Sequence, residues 1–189
     1  EIDLAYKPLN DLQIEGLLSL GDWRWTSADT VRFYDNNNNV VTDDFGNEVM
    51  ATFDADGVHV GDAAQTQYGI SIRYEPNTAS YLKLRATYFD NYYSDFDPLS
   101  LNGNNAGRES WIIPSYSLID LHAGYTIPLS KKNALSIKLS ILNLLNTIYI
   151  SDAQNNDPYN ASSQDFDAKS AGVFFGIGRR FNINAKINF

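Results

Sequence analysis

Apolar and polar residues alternate along most of the chain with a period of two, which is typical of β-strands whose two faces differ. In one such stretch Leu82, Leu84 and Tyr88 alternate with Lys83 and Arg85. No stretch has a convincing helical period, so we predict an all-β, antiparallel fold. The alternation predicts about seven strands, near residues 2–7, 12–34, 59–75, 80–93, 115–129, 134–151 and 171–189.

The predicted connections alternate in length. Short turns rich in Pro, Asn, Asp and Ser lie at 8–11, 75–79 and 128–133. Long polar stretches lie at 35–58, 94–114 and 152–170. Outer-membrane β-barrels have short turns on one side of the membrane and long loops on the other. A soluble β-sandwich also has alternating strands, but it has no reason to sort its connections in this way.

Strand length and aromatic placement also favour a transmembrane β-barrel. The predicted strands run to about 15 residues, and about 9–11 tilted residues cross a bilayer. Aromatic residues gather near the predicted strand ends, as in the girdles of membrane barrels. Those near the short turns are Tyr6, Tyr74, Tyr81 and Phe189, and those toward the long stretches are Trp23, Trp25, Phe33, Tyr34, Tyr88, Phe89, Tyr92 and Tyr93. We therefore expect a multi-pass protein of the bacterial outer membrane, with membrane lipid against the apolar face.

The polar face would then line a water-filled lumen, where charged side chains are acceptable. The candidate lumen residues are Arg73, Lys83, Arg85, Asp120, His122 and Lys138. The cations among them could guide an anionic ligand, or they could be a hydrated wall. Arg179 breaks the alternation, so it must lie above the hydrocarbon, at a bulge, or with its charge extended toward water.

Seven strands are too few to close a bacterial membrane barrel, which has an even number of eight or more. An open edge in lipid leaves backbone groups without hydrogen bonds, at a cost of several kcal/mol each. We therefore expect residues 1–189 to be one unit, the C-terminal part of a larger barrel, with its remaining strands elsewhere. The last strand carries Phe181, Ile183, Ile187 and Phe189 on one face, and we expect it to serve in barrel closure.

Composition and motifs argue against several other functions. The net charge is −9, which disfavours a nucleic-acid partner, and the absence of cysteine excludes disulfides and thiolate metal sites. His59 and His122 are far apart, and the Asp54–Gly57 stretch DADG lacks the remaining ligands of a calcium loop. No catalytic constellation is evident, so we expect no enzymatic activity, cofactor or metal. The loop aromatics Tyr92, Tyr93, Phe96, Trp111 and Tyr159 could stack on a ligand or pack within the loops.

Four stretches resemble the C-terminal barrel of TonB-dependent outer-membrane receptors, in the form found in Bacteroidota. They are VGDAAQTQYGISIRYEP (60–76), YLKLRATYFDNYYSDFDP (81–98), IPSYSLIDLHAGYTIPL (113–129) and NLLNTIYIS (143–151). In the last, Asn143, Leu144, Asn146 and Tyr149 match a family motif, while Leu145 replaces the usual Phe. The terminal Phe189 resembles the signal read by the outer-membrane assembly machinery.

The resemblance implies ligand-gated, energy-coupled import of a scarce nutrient. It implies a barrel of about 22 strands with a separate N-terminal plug, a TonB-binding segment (the TonB box), the TonB complex as a partner, and in some systems a surface lipoprotein. The polar wall would contact the ligand or the plug. The substrate stays open among siderophore-bound iron, haem, cobalamin, a glycan and a peptide. The alternatives are a passive outer-membrane channel, another β-barrel, or a soluble carbohydrate-binding β-sandwich.

Overall fold

The computed structural model describes residues 1–155, 168–169 and 171–189, and this part of the chain is built from β-strands. The strands are β1 (Ile2–Leu9), β2 (Leu12–Leu20), β3 (Ala28–Arg32), β4 (Met50–Asp54), β5 (Ala64–Asn77), β6 (Ser80–Tyr93), β7 (Asp95–Phe96), β8 (Ile112–Ile113), β9 (Tyr116–Pro128), β10 (Ala134–Leu142), β11 (Ile150–Asn155), β12 (Ala171–Phe175) and β13 (Arg180–Asn188). Two single 3₁₀ turns lie at Pro98–Ser100 and Gly103–Asn105. No helix in these described ranges is long and apolar enough to cross a membrane.

Seven strands form the main sheet in the order β1-β2-β5-β6-β9-β10-β13, with β8 paired to the end of β6. Every pairing within this sheet is antiparallel. The all-β, antiparallel prediction is therefore confirmed. Within the described residues the sheet is open, because β1 and β13 are its two edges and each pairs along one side.

The predicted number of about seven strands is wrong, because the described residues contain thirteen. Three of the predicted strands each correspond to two observed strands. The range 12–34 contains β2 and β3, 134–151 contains β10 and the start of β11, and 171–189 contains β12 and β13. The stretches expected to be loops also contribute β4, β7 and β8. The six added strands are short, with two to six residues each.

The cross-strand register gathers the apolar side chains on one face of the main sheet. Ile14 lies opposite Tyr6 and Ile72, and Ile72 lies opposite Leu84 in turn. This apolar face comprises Ile2, Leu4, Tyr6, Leu12, Ile14, Gly16, Leu18, Leu20, Tyr68, Ile70, Ile72, Tyr74, Leu82, Leu84, Ala86, Tyr88, Ile119, Leu121, Ala123, Tyr125, Ile127, Leu135, Ile137, Leu139, Ile141, Phe181, Ile183, Ala185 and Ile187. It is open to the surroundings, with exposed fractions of 68% at Leu4, 52% at Ile70 and 72% at Ile183.

The buried core of the described residues lies at the end of the sheet that carries the long connections. We call this region the loop cap; it comprises residues 21–66, 90–116, 143–155 and 171–179. One cluster contains Ala55, Val58, Phe96 and Leu101. The other contains Ala64, Tyr92, Ile113 and Ala153, with Phe89, Trp111, Tyr116 and Ile150 packed against it.

One part of the loop cap is a junction of three hairpins, formed by residues 28–54. β3 pairs with β4, and two smaller hairpins are closed by the bridges Tyr34–Val40 and Thr42–Glu48. The three meet in a ring of backbone hydrogen bonds: Val41 N–H donates to Phe33 O, Val49 N–H to Val41 O, and Phe33 N–H to Val49 O, at 2.9, 2.8 and 3.2 Å. The stretch 35–58, which was predicted to be a long polar loop, therefore contains paired segments of its own.

The two small hairpins repeat one turn at an eight-residue interval. Asp35 Oδ1 accepts the backbone N–H of Asn39, and Asp43 Oδ1 accepts that of Asn47, each at 2.8 Å. These hydrogen bonds, together with those from the Asn side chains, lower the pKa of both carboxyls. The turns close at Asn38 and Gly46, whose φ values of 63° and 83° lie in the left-handed region that Asn and Gly tolerate.

Candidate functional site

The six residues predicted to face a lumen all lie on the face of the main sheet opposite the apolar face. Arg73 pairs with Lys83, and Lys83 with His122, in one row across three strands. Arg85 lies opposite Asp120 in the next row, and Lys138 lies opposite Gly124. We call this charged surface the polar wall. The structure therefore brings the predicted residues onto one surface, while their contact with a ligand or plug stays a prediction.

Lys83 is held by a carboxylate that the sequence analysis did not single out. Its Nζ donates to Glu15 Oε2 at 2.8 Å, and the Ser71 hydroxyl donates to the same oxygen at 2.6 Å. Like charges directly opposite each other destabilise a sheet, and Glu15 offsets the repulsion between Lys83 and Arg73. Only the strand register reveals this partner, because Glu15 and Lys83 are 68 residues apart.

Arg73 is also occupied. Its guanidinium lies 2.6 Å from Glu75 Oε1 and 4.0 Å from the centre of the Tyr81 ring, close enough for a cation–π contact. Tyr81 therefore lies on the polar wall, and its placement in an aromatic girdle is wrong, because odd-numbered residues of β6 face that side. Tyr125, which was not among the predicted girdle residues, lies on the apolar face beside the short turns and is 55% exposed.

The Tyr81 ring lies over Gly124 on the neighbouring strand. The two residues are cross-strand partners, and a Cβ on Gly124 would overlap the ring and lie 2.9 Å from its Cδ1 atom. An aromatic side chain that covers a strand glycine compensates for the packing that the glycine lacks. The close approach of the Tyr81 ring therefore requires a glycine at position 124.

Replacing Gly124 by alanine is expected to destabilise the protein by about 1–3 kcal/mol, the usual cost of overpacking. The cause is displacement of Tyr81, so the same change in a Tyr81→Ala background should cost much less. Equilibrium unfolding of the four variants in a double-mutant cycle measures the difference. Equal costs in both backgrounds would show that the Tyr81 ring is not what excludes a side chain at position 124.

Asp120 and His122 have structural partners as well. Asp120 Oδ1 accepts the backbone N–H of Asn143 at 2.9 Å, and His122 Nδ1 lies 2.9 Å from Ser140 Oγ. Arg85 and Lys138 form no salt bridge within the described residues, and Arg85 Nε makes only a long 3.4 Å hydrogen bond to Thr87. These two cations are therefore the ones whose charge is most available to another molecule.

A depression of about 480 Å³ lies beside Arg85. Its lining includes the small residues Ala5, Gly69 and Ser71 as well as the larger side chains of Arg85 and Phe89. Phe89 also packs against the core of the loop cap. The polar wall and the loop cap therefore meet at Phe89.

The motif of residues 143–149 has a clear local role: it ends β10 and redirects the chain. Asn143 is buried and left-handed, with a φ of 51°; its side-chain oxygen accepts the Thr147 N–H at 2.8 Å, and its Nδ2 donates to Thr147 O at 2.9 Å. Asn146, with a φ of 55°, accepts the backbone N–H of Arg179 at 2.9 Å. Arg179 therefore lies in the irregular segment between β12 and β13, which explains its break in the alternation.

Leu144 and Tyr149 complete this turn. The Leu144 N–H donates to Ile119 O at 2.6 Å, which ties the turn to β9. The Tyr149 ring stacks on Tyr116 at 4.5 Å and covers Gly176, where a Cβ would overlap the ring. Leu145, at the place of the family's Phe, is 64% exposed.

Most of the loop aromatics form the inside of the loop cap. Tyr92 and Phe96 are buried in its two clusters, and Trp111 packs against the cluster that contains Tyr92. Tyr93 stacks on His59 with ring centres 3.9 Å apart. Tyr159 lies outside the described residues. For the described ones, packing within the loops accounts for their positions.

The two histidines lie in separate places. His59 lies in the loop cap between Asp22 and Glu109, and His122 lies on the polar wall. Asp54 accepts the N–H of Asp56 at 3.0 Å, as in an ordinary Asx turn. The described ranges contain no group of three or more His, Cys, Asp or Glu residues arranged to hold a metal ion.

β13 lies at one edge of the main sheet with its apolar side chains on the apolar face. Phe181, Ile183 and Ile187 are 67%, 72% and 51% exposed, and Phe189 follows the strand at 93%. Their role in closure and assembly stays a prediction. No family model, curated protein or solved structure matches this chain.

Proposed function

We propose that this chain is part of the β-barrel of a TonB-dependent outer-membrane receptor, which imports a scarce nutrient with energy supplied through TonB. The observation that supports this most is the exposed apolar face of the seven-stranded main sheet. Single exposed apolar residues are ordinary in soluble proteins, but a contiguous apolar surface of this size needs an apolar partner. Lipid hydrocarbon is that partner in our proposal, and the polar wall faces water.

The open edges of the sheet are a second reason to propose additional strands. In a bilayer the backbone groups of β1 and β13 would lack hydrogen bonds along one side each. Further strands of the same protein would satisfy these groups, and closure between the ends would remove the edges altogether. We propose that these strands and a plug domain complete the barrel.

The distribution of structure between the two ends of the sheet fits the same proposal. Tight turns join β1 to β2, β5 to β6 and β9 to β10 at one end. The loop cap, with its own buried clusters, lies at the other. In outer-membrane barrels the tight turns face the periplasm and the long connections face the exterior, so the loop cap would first meet the imported ligand.

The choice of a receptor over a passive channel depends on the resemblance of the four stretches named above. The turn of residues 143–149 adds to it, since each matching residue has a geometric role there. The proposed partners are the plug, the TonB complex, the outer-membrane assembly machinery and, in some systems, a surface lipoprotein.

Spin labels on alternate residues test the membrane assignment. Labels at Ile119, Leu121, Ile137 and Leu139 should be accessible to oxygen dissolved in lipid, and labels at Asp120 and Lys138 to a water-soluble nickel complex. The measurement is power-saturation EPR of the full-length protein in phospholipid vesicles. Aqueous surroundings for the first set would exclude lipid contact, and a dry interior excluded from both reagents would favour a β-sandwich.

Energy coupling needs its own experiment. The full-length protein carrying this chain should bind the purified periplasmic domain of TonB, and a synthetic TonB-box peptide should compete. If the protein inserts into membranes but does not bind TonB, it is a β-barrel but not a TonB-dependent receptor. A passive channel would then be favoured. The two experiments therefore separate the fold from the transport mechanism.

A further inference from the structure

Four residues of the polar wall form a row across four neighbouring strands. Asp3 of β1 lies opposite Leu17 of β2. Leu17 in turn lies opposite Gly69 of β5, and Gly69 lies opposite Thr87 of β6. We call these four residues the cross-strand row, and all of them line the depression beside Arg85. Because glycine has no side chain, the row has a gap between Leu17 and Thr87.

Arg85 provides a positive charge at the β6 end of the row. Its Nε donates to Thr87 Oγ1 in a long hydrogen bond of 3.4 Å, which places the guanidinium beside the row. Asp120 is its cross-strand partner on β9, but Asp120 Oδ1 accepts the backbone N–H of Asn143. In the part of the chain that the structure describes, Arg85 forms no salt bridge. It therefore has N–H donors left for an anion, and its planar fork suits a carboxylate best.

Asp3 provides a negative charge at the β1 end of the row. Its side chain is exposed, and among the described residues it has no hydrogen bond or salt bridge. A carboxylate accepts hydrogen bonds and an ammonium group donates three of them. The row therefore has an available anion at one end and an available cation at the other.

The other two charges that line the depression neutralise each other. Lys83 Nζ lies 2.8 Å from Glu15 Oε2, so this pair adds no net charge. A ligand with several negative charges would meet as many carboxylates as cations here. A ligand with one charge of each sign is the better electrostatic match. Leu17 and Phe89 add apolar contact to the same depression.

The spacing of the strands sets the length of such a ligand. Three steps separate β1 from β6 in the order β1-β2-β5-β6, which makes about 14 Å at about 4.8 Å for each step. Subtracting about 2.8 Å for a charge-assisted contact at each end leaves roughly 8 Å. Two or three extended peptide residues, at about 3.3–3.6 Å each, cover that length, whereas a single amino acid is too short.

We propose that the cross-strand row binds a short linear peptide of two or three residues with free termini. The peptide's ammonium group binds Asp3, its carboxylate binds Arg85, and an apolar side chain fills the gap at Gly69 against Leu17. As a statement about what is imported, this inference rests on the proposed function and names its substrate class. As a statement about binding, it depends on the polar wall alone.

Capped peptides test both ends of the site on the unchanged protein. The probe is the tripeptide Ala-Leu-Ala with free termini, compared with its N-acetylated form and its C-terminal amide. Each is titrated calorimetrically into the full-length protein in detergent micelles. Each cap removes one charge, so it should weaken binding at least about tenfold, the effect of losing one hydrogen bond to a charged group.

Two substitutions assign each terminus to its residue. Asp3→Asn should weaken binding of the free tripeptide at least about tenfold and leave the affinity for the N-acetylated form unchanged. Arg85→Gln should do the same for the free tripeptide and the amide. Asp44→Asn and Lys132→Gln, which change exposed charges outside the depression, are the matched controls and should leave every affinity unchanged. Circular dichroism confirms that each variant is folded.

The proposal is overturned if the free tripeptide does not bind, or if either capped peptide binds as tightly as the free one. It is also overturned if either folded variant, Asp3→Asn or Arg85→Gln, keeps the affinity of the unchanged protein, because the peptide would then bind elsewhere. A membrane-inserted protein that binds TonB but no peptide would keep the proposed function and lose this substrate. A protein that binds the peptide but not TonB would keep the site and lose the receptor assignment.

Discussion

Replacing Leu4 by arginine is expected to destabilise the folded protein in a phospholipid bilayer by about 2–4 kcal/mol, the cost of a cation on the lipid face of a barrel near the bilayer midplane. Leu4 lies in the middle of β1 on the apolar face, and its side chain is 68% exposed. In lipid the guanidinium would lose its water without gaining a partner. Equilibrium unfolding of the full-length protein in vesicles gives the free energy directly.

The adjacent Ala5 supplies the matched control. It is also exposed, but it faces the side of Glu15, its partner on β2, so that Ala5→Arg places the same charge near water and a carboxylate. We expect that change to alter the unfolding free energy by less than about 1 kcal/mol. Similar effects of the two substitutions would mean that the faces meet the same solvent, and the membrane assignment would then fail.

Replacing Asn143 by alanine should be comparably severe, at about 2–4 kcal/mol, because several effects act together. The change removes the side-chain hydrogen bonds to Thr147 and leaves the half-buried Thr147 N–H and C=O without these partners. It also places alanine, which tolerates the left-handed region less well than Asn, at a φ of 51°. The turn that ends β10 would lose its main constraint. The free energy of unfolding and the yield of membrane-inserted protein are the two measurements.

Two further substitutions at this position separate the causes. Asn143→Gly keeps the left-handed backbone but removes the hydrogen bonds, and Asn143→Asp keeps the acceptor for the Thr147 N–H while removing the donor. We expect both variants to be more stable than Asn143→Ala. If all three substitutions cost less than about 0.5 kcal/mol, the range of ordinary surface changes, the conformation of this turn is not needed for folding.

The fold class and the two-faced character of the main sheet follow from the period-two pattern alone. Each main-sheet strand carries several consecutive alternations, and a shift of one residue would turn an entire apolar set to the other side. The short turns were predictable for a similar reason, since Asn, Asp and Pro favour those conformations locally. The shared surface of Arg73, Lys83, Arg85, Asp120, His122 and Lys138 is a direct result of that alternation.

The pattern could not reveal what each polar residue touches. Glu15 neutralises Lys83 through a contact between non-adjacent strands, and Asp120 binds a turn that begins after β10. Such pairs depend on the register and on side-chain length. The Tyr81–Gly124 contact was missed because a girdle was inferred from position along the strand, without regard to the face on which the ring lies.

The internal structure of the long connections was hidden for a different reason. Short strands such as β7 and β8 have two residues each, too few for any periodicity. The three-hairpin junction is held by backbone hydrogen bonds between residues 33, 41 and 49, and backbone bonds leave little mark on composition. The eight-residue repeat of Asp and Asn in its turns was the one available signal.

That ring of backbone bonds makes each small hairpin a module whose two ends are clamped together. At the outer end of one hairpin Phe45 is 90% exposed and Gly46 has no atom within 4 Å of a Cβ position. Extra residues spliced between them would emerge from a fixed stem and leave the neighbouring strands in register. Residues 45–46 are thus a natural place to graft a foreign peptide for display.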